Sequence, residues 1–290
     1  METLTSYVRV KSPYPPNLSE QPNIASETPL DTDIQAVMTV IARRKHQYGQ
    51  PLEPNCLNLR SVDLHQLELP PNAKLQGADF RNANLQAAQL EKANLEDANL
   101  QFVNFQKAQL SGANLQKAKL FQTNFQSAIL QKTDLRESKC HQANFQEAWL
   151  KEAKFQEAVL VQTVLHKAML ESAMLQAAKL MEANLQQAVL TGAKLQKAIL
   201  GRMDQNGSPD LFLEANLVGA NLTGVDLRGV IGMNMGQLNQ TASCTKTLLP
   251  DYLLQQLQAL ESEAAESTNP ATPMPPATQN EATEGQQKLS

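Results

Sequence analysis

The sequence predicts an all-β solenoid whose coils each have four short sides, and two observations lead to this fold class. From Leu75 to Leu200 every fifth residue is Leu or Phe, with Cys140 as the single exception, which makes 26 consecutive five-residue units. Two residues before each of them lies a small residue, beginning with Ala73 and Ala78. A period of five would scatter the leucines around a helix and alternate them between the faces of a flat strand, so neither element would bury them.

Short extended pieces separated by bends resolve this conflict. Within one piece, the Leu and the small residue two positions before it share a face, and a bend of roughly a quarter turn returns the next Leu to the same interior. Four bends close a coil, and coils stack with a spacing of about 4.8 Å. Residues 20 apart then stack, and the triplet Asn-Phe-Gln recurs at this spacing. We therefore expect a core stack inside the column, beside a ladder of Asn side chains, formed by Phe105, Phe125 and Phe145.

The repeated unit Ala-Asn-Leu-x-x resembles the pentapeptide-repeat family. It occurs as Ala83-Asn84-Leu85, Ala93-Asn94-Leu95, Ala98-Asn99-Leu100 and Ala113-Asn114-Leu115, and the resemblance covers about 170 residues. The resemblance implies the family's right-handed quadrilateral β-helix. A helix before the repeats is also similar to an arrangement in cyanobacterial members.

The N-terminal part divides into two segments. Residues 1–30 contain five prolines and are expected to form a disordered arm. Residues 31–48 predict an amphipathic helix with an apolar face of Ile34, Val37, Met38 and Ile41. A solenoid has an open apolar end, so this helix is expected to cap it. A helix that docks a partner through its basic end is the alternative.

The solenoid is expected to span residues 57–232, interrupted by a polar, turn-rich loop at 201–211. About 33 units give about eight coils and a rod roughly 40 Å long at strand spacing. Residues 233–266 follow, with a second capping helix at 250–266, and residues 267–290 are expected to be a disordered tail. A calcium site in the loop is disfavoured, because Pro209 stands where such a loop needs Gly.

Composition and charge limit the function classes. Residues 57–232 carry 18 Lys and Arg and 17 Asp and Glu, which argues against a strongly basic nucleic-acid binder. Three widely spaced cysteines argue against a disulfide scaffold, and Cys140 in a Leu position is expected to be a buried apolar residue. Neither a membrane span nor a signal-peptide core is evident, so the expected location is the cytoplasm.

No constellation for catalysis stands out in the sequence. The four histidines form no metal spacing with Cys or with one another, and neither a Gly-rich phosphate loop nor a nucleophile elbow is present. A column filled with Leu leaves no cavity for a small-molecule substrate. We therefore expect a protein that is not an enzyme, with no catalytic, cofactor-binding or metal site and no cofactor.

The outward positions offer two candidate surfaces. Just before the Leu, one face replaces the usual polar residues by four apolar ones, namely Ile129, Trp149, Met169 and Val189. Just after the Leu, an opposite surface carries a second strip around His141, consisting of Phe121, Val161 and Met181. Exposed apolar strips often mark interfaces, although neighbouring coils can also shield each other's side chains.

Two functions compete. The first is a non-catalytic interaction scaffold that uses the Trp149 face or the loop to bind a protein partner or a second copy. The second follows from the resemblance, because some pentapeptide proteins mimic duplex DNA and inhibit or protect DNA gyrase. Mimicry requires dense negative charge, which the neutral column lacks. A membrane-associated scaffold has no evident anchor.

Overall fold

The structure is a computed structural model that describes residues 2–14, 29–43, 57–203, 209–210 and 215–267. Single parallel bridges join each five-residue unit to the unit 20 residues later, from Lys74↔Asn94 to Lys179↔Ile199. This register confirms the predicted stacking of residues 20 apart. Each unit contributes too few paired residues to make a continuous strand, so the sides of a coil are extended pieces with one bridge each.

A tight turn follows every extended piece and produces the bend. In the unit around Leu85, the N–H of Ala88 donates to the Leu85 carbonyl at 3.1 Å, and Ala87 between them has a φ of 56°. The same left-handed conformation recurs every five residues, for example at Lys132 and Ala177. A left-handed third residue is typical of a type II turn, which usually takes Gly there. This chain places Gly at some of these positions, such as Gly77 and Gly112, and mostly Lys, Glu or Gln at the others.

The interior is a column of Leu and Phe with small residues beside it, and its members are almost fully buried. The rings of Phe105 and Phe125 stack with centroids 5.1 Å apart, and Phe125 stacks on Phe145 in the same way. Where Thr replaces the small Ala, its hydroxyl donates to a main-chain carbonyl, as Thr123 does to Leu100 at 2.7 Å. Buried hydroxyls of this kind satisfy their hydrogen bonds without disturbing the column.

The outward Asn side chains stabilise the turns, which differs from the predicted ladder. The amide oxygens of Asn124 and Asn144 accept from the main-chain N–H two residues later, at 3.0 and 2.9 Å. Asn and Asp favour such local bonds to the backbone over bonds to each other. Between coils, the side-chain amide of Asn104 donates a hydrogen bond to the amide oxygen of Asn84 at 3.1 Å, so a ladder is formed only in part.

The expectation of a disordered arm over residues 1–30 is wrong for its first part. Helix α1 spans Glu2–Lys11, and Thr5 and Val8 on one of its faces are buried. After it, Pro13 forms an antiparallel bridge with Val62, and the Tyr14 N–H donates to the Ser61 carbonyl at 2.7 Å. The prolines lie after the helix, so the composition of the whole segment concealed it. Residues 15–28 lie outside the described residues.

Helix α2 spans Thr32–Arg43 and contacts the start of the solenoid. Its face of Ile34, Met38 and Ile41 is buried, and the Ala42 carbonyl accepts from the Lys74 N–H at 3.0 Å. The Gln35 side chain bonds both the N–H and the carbonyl of Glu68. Residues 44–48 of the predicted helix lie outside the described residues.

The predicted loop leaves the column after Leu200 as a small hairpin. Strand β1, Arg202–Met203, pairs antiparallel with β2, Pro209–Asp210. The chain returns at Ala215, whose N–H donates to the Leu200 carbonyl at 2.7 Å. Asn184 pairs with Asn216 across this insertion, so the stacking continues in register. In the sequence the five-residue spacing resumes at Phe212, which lies outside the described residues.

Coil pairing extends beyond the predicted end at residue 232. Helix α3, Met235–Asn239, begins with a capping box at Asn234, and afterwards Asn221 pairs with Ser243 and Asp226 with Leu248. The irregular spacing of this segment hid its pairing from the sequence pattern. Helix α4 spans Asp251–Ser267, close to the predicted 250–266. The first compact unit ends at Leu253, which is buried, and Leu254 begins the second.

Candidate partner-binding surface

Four apolar side chains lie in successive coils on one outward face of the column. Ile129 pairs with Trp149, Trp149 with Met169, and Met169 with Val189. Each stands between two inward-facing residues of its extended piece, so alternation directs it outward. We call Ile129, Trp149, Met169 and Val189 the Trp149 strip.

The exposed fractions identify the middle of the strip. Trp149 is 45% exposed and Met169 is 38% exposed, whereas Ile129 and Val189 are partly buried. The strip ends in polar neighbours, Gln109 on one side and Asn221 on the other. A contiguous exposed apolar patch with polar ends is typical of a surface that binds another macromolecule.

Charged residues flank the two central rows. Glu147 and Lys167 come two positions before Trp149 and Met169, and Lys151 and Glu171 come two positions after them. None of these four forms an ion pair among the described residues, although Lys132 and Glu152 nearby approach to 3.7 Å. One carboxylate oxygen of Glu171, Oε2, is buried without a hydrogen-bond partner. The rim of the strip therefore carries both acidic and basic side chains.

An open depression lies beside the strip, with a volume of about 600 Å³. Ser172 and Gly192 line it together with Met174, and three lysines and Glu152 surround them. The depression follows one corner of the coils, where the side chains of Lys132 and Glu152 are long and those of Ser172 and Gly192 are small.

The second predicted strip lies at a corner of the coil, in the turns, and not on a flat opposite face. Phe121 stacks on His141 with centroids 5.9 Å apart, and Phe102 packs edge-on against Phe121 at 5.4 Å. These residues, with Val161 and Met181, are all partly buried. Beside them, the amides of Gln122, Gln142 and Gln162 each donate to the next coil. The ring contacts show mutual shielding between neighbouring coils at Phe121 and His141.

Several outward carboxylates are neutralised by arginines. Asp79 bonds Arg60 and Arg81, and Asp134 bonds Arg136 through two nitrogens. Hydrogen bonds from Arg228 hold the pKa of Asp226 at about 2, well below its usual value. A carboxylate paired in this way does not present the free negative charge of a phosphate.

The described residues provide no group of three or more His, Cys, Asp or Glu side chains that could hold a metal ion. Cys140 is buried, and burial raises the pKa of its thiol to about 12. Within the described ranges, no helix has the length and apolar character needed to cross a membrane.

Comparison with known families and structures identifies what the chain is similar to. Eight copies of the family model for pentapeptide repeats match residues 72–101, 104–139, 138–176, 148–187, 170–202 and 212–231, together just over half of the chain. A comparison with curated protein sequences finds no match.

Two solved structures illustrate the similarity. A trypsin-treated variant of QnrB1, a plasmid-mediated fluoroquinolone resistance protein, is 17% identical with a TM-score of 0.59, covering 72% of this chain and 97% of that one. HetL, a pentapeptide repeat protein involved in heterocyst differentiation regulation in the cyanobacterium Nostoc sp. strain PCC 7120, is 26% identical, with a TM-score of 0.22, covering 68% and 86%. The family match and the QnrB1 fold imply a right-handed quadrilateral β-helix.

Proposed function

The chain belongs to the pentapeptide-repeat family, and we propose that it is a non-catalytic scaffold that binds a protein partner, or a second copy of itself, through the Trp149 strip. The observation that carries this proposal is the pairing of Trp149 with Met169, two large apolar side chains exposed on neighbouring coils. Trp is among the residues that contribute most to binding when an interface covers them.

The construction of the column supports a role in presenting side chains at fixed positions. Main-chain hydrogen bonds tie every coil to the next, as when Leu150 donates to Met169 and Met169 to Ala148, at 2.7 and 3.0 Å. A surface held by such a ladder loses little conformational freedom on binding, which favours affinity. The filled interior leaves the outer surface as the place where a partner can bind.

The helices at the two ends are assigned a supporting role in a rod of about eight coils. Helix α2 buries its apolar face and bonds Lys74 in the first coil through Ala42. At the other end, the Tyr252 hydroxyl donates to the Met233 carbonyl at 3.0 Å, beside buried Leu253. We assign α2 and the start of α4, up to Leu253, as caps that keep the apolar ends of the column from water.

The proposal is tested by placing charge on the strip. The variant Trp149→Glu/Met169→Glu should abolish association, measured by chemical crosslinking in cell extract and by sedimentation of the purified protein. Both residues point outward, so the circular dichroism spectrum and melting temperature should stay close to those of the parent. Leu248→Glu is the matched control, because Leu248 is 49% exposed on a different face.

Three results would count against the scaffold. The first is unchanged crosslinking and mass in the Trp149 variant, and the second is an equal loss in the Leu248 control. The third is unfolding of the variant, which would show that the strip serves the column and not a partner.

The alternative is a DNA mimic that binds DNA gyrase and inhibits or protects it. Its support is the fold shared with QnrB1, at an identity that carries the fold alone. Asp79, Asp134 and Asp226 are each paired with Arg, which removes candidates for phosphate-like charge. A gyrase supercoiling titration, with and without a quinolone, decides between the two. Inhibition or protection at micromolar concentrations would establish the alternative.

We also expect the protein to act in the cytoplasm, without a small-molecule substrate, a cofactor or nucleic acid. The two cysteines in the described residues, Cys140 and Cys244, are unpaired, which suits a reducing compartment. Fractionation of cells that express a tagged chain tests the location.

A further inference from the structure

We propose that the partner of the Trp149 strip is a second copy of this chain, bound face to face with the two columns antiparallel. This inference rests on the proposed function and names the occupant of the same surface. Its basis is the self-complementary arrangement of apolar and charged residues around the strip.

The symmetry of such a pair defines which residues meet. A two-fold axis lying in the interface, perpendicular to the column, brings a coil above the axis opposite the coil equally far below it. With the axis between the rows of Trp149 and Met169, each Trp149 meets the second copy's Met169. In the outer rows, Ile129 meets Val189. Every strip residue then has an apolar partner.

The same operation pairs the flanking charges. Each flank of the strip lies opposite the same flank of the second copy. Glu147 therefore meets the second copy's Lys167, and Lys151 meets the second copy's Glu171. Symmetry makes four ion pairs from residues that form none with the part of their own chain that the structure describes.

The charges also select the register. Moving the axis onto the row of Trp149 would place Glu147 against Glu147 and Lys151 against Lys151. Moving it onto the row of Met169 would oppose the two copies of Lys167 and of Glu171. Because like charges in contact are unfavourable, these shifted registers are disfavoured, as in specific interfaces generally.

The shape of the adjacent corner fits the antiparallel arrangement. Along this corner, long side chains stand in the earlier coils, at Lys132 and Glu152, and small residues in the later ones, at Ser172 and Gly192. The operation places Lys132 over Gly192 and Glu152 over Ser172. A parallel pair would instead oppose Trp149 to itself and bring Glu147 towards both Lys151 and Glu152.

The expected dimer is weak. Four rows at strand spacing make a contact about 15 Å long, which is small for a stable complex. We therefore expect a dissociation constant in the micromolar range, to be measured by sedimentation equilibrium between about 1 and 100 µM.

Charge reversal tests the pairing. Glu147→Lys should raise the dissociation constant at least about tenfold, because the introduced lysine faces the second copy's Lys167. The double variant Glu147→Lys/Lys167→Glu should return it to within about threefold of the parent, because the swap restores opposite charges. Glu157→Lys is the control, since Glu157 occupies the same left-handed turn position, with φ of 61°, on another corner.

Each outcome of these measurements supports or overturns the proposed dimer. A monomer at all concentrations overturns self-association. If crosslinking in extract still depends on Trp149, the scaffold proposal survives that result. A dimer whose double swap stays weak overturns the antiparallel arrangement, since a parallel pair would set the introduced lysine against Lys151. A dimer weakened equally by Glu157→Lys overturns the assignment to this face.

Discussion

Phe125 stacks on Phe145 with ring centroids 4.9 Å apart and planes that differ by 6°. This separation matches the spacing of about 4.8 Å between neighbouring strands, so the main-chain ladder sets the distance between the rings. The ring of Phe125 lies between two others, because Phe105 stacks on its other side. All three rings are among the largest fully buried side chains of the column.

Replacing the middle ring should therefore be costly. We expect Phe125→Ala to lower the free energy of unfolding by about 3–5 kcal/mol, because the cavity lies between rigid coils that cannot close over it. Phe125→Leu should cost less, since Leu occupies most equivalent positions. Urea unfolding followed by circular dichroism measures both. Phe121→Ala, at a partly buried corner, is the control, and an equal loss there would contradict the role of the stack.

The left-handed turn residues give a second prediction. Ala177 has a φ of 57°, a conformation that its Cβ disfavours and that Gly adopts freely. Ala177→Gly should stabilise the protein by about 0.5–1 kcal/mol. Ala178→Gly, the same change one residue later at a fully buried position, should destabilise it. Melting temperatures of the two variants should move in opposite directions, and a shared direction would contradict the turn assignment.

Cys140 should be inert towards thiol reagents in the native protein. Its burial raises the pKa of the thiol to about 12, so almost no thiolate exists at neutral pH, and the reagent has no access. In a variant with Cys56→Ser and Cys244→Ser, labelling should begin only where urea unfolds the column. A variant that keeps the exposed Cys244 instead should label at once. Rapid native labelling of Cys140 would show that coils open locally.

The pair of Asp226 and Arg228 predicts an acid-dependent contribution to stability. The native pKa of Asp226 is about 2, below the ordinary 3.8, so its stabilisation is complete above about pH 4. That contribution is lost as the pH falls from about 4 to 2. Arg228→Gln should raise the pKa of Asp226 towards its ordinary value, measured by carbon NMR of the carboxyl group. Gln196 also donates to this carboxylate, at 2.7 Å, so the return should be incomplete.

Lys197→Gln removes the same charge from a neighbouring turn and is the control for that titration. An equal rise in the pKa of Asp226 would mean that general charge, and not the Arg228 hydrogen bonds, lowers it.

Most of the fold could be predicted from the period of five, because each Leu and its small neighbour specify a local geometry that repeats. The stacking of Phe105 on Phe125 and the position of Trp149 beside Met169 follow from that period alone. The flanking charges around Trp149 were present in the same pattern, at two residues before and after it.

The departures arise where contacts are distant in sequence. Helix α1 is held by burial of Val8 and by the bridge between Pro13 and Val62, neither of which a local pattern contains. The coil pairing of Ser243 with Asn221 lies in a segment without the regular period. The spacing of Asn124 predicts a ladder, but its own turn offers a nearer donor, the N–H of Gln126.

The regular pairing gives every surface residue two coordinates. The angular coordinate is its side of the coil, and the axial coordinate is the coil in which it lies. Insertion or deletion of 20 residues would change the axial coordinate and lengthen or shorten every face together. A change of five would rotate all later residues by a quarter turn and break the Trp149 strip into two faces. The hairpin after Leu200 leaves both coordinates intact, because Asn184 still meets Asn216. Such a rod can therefore diversify by excursions from its corners while the faces keep their alignment.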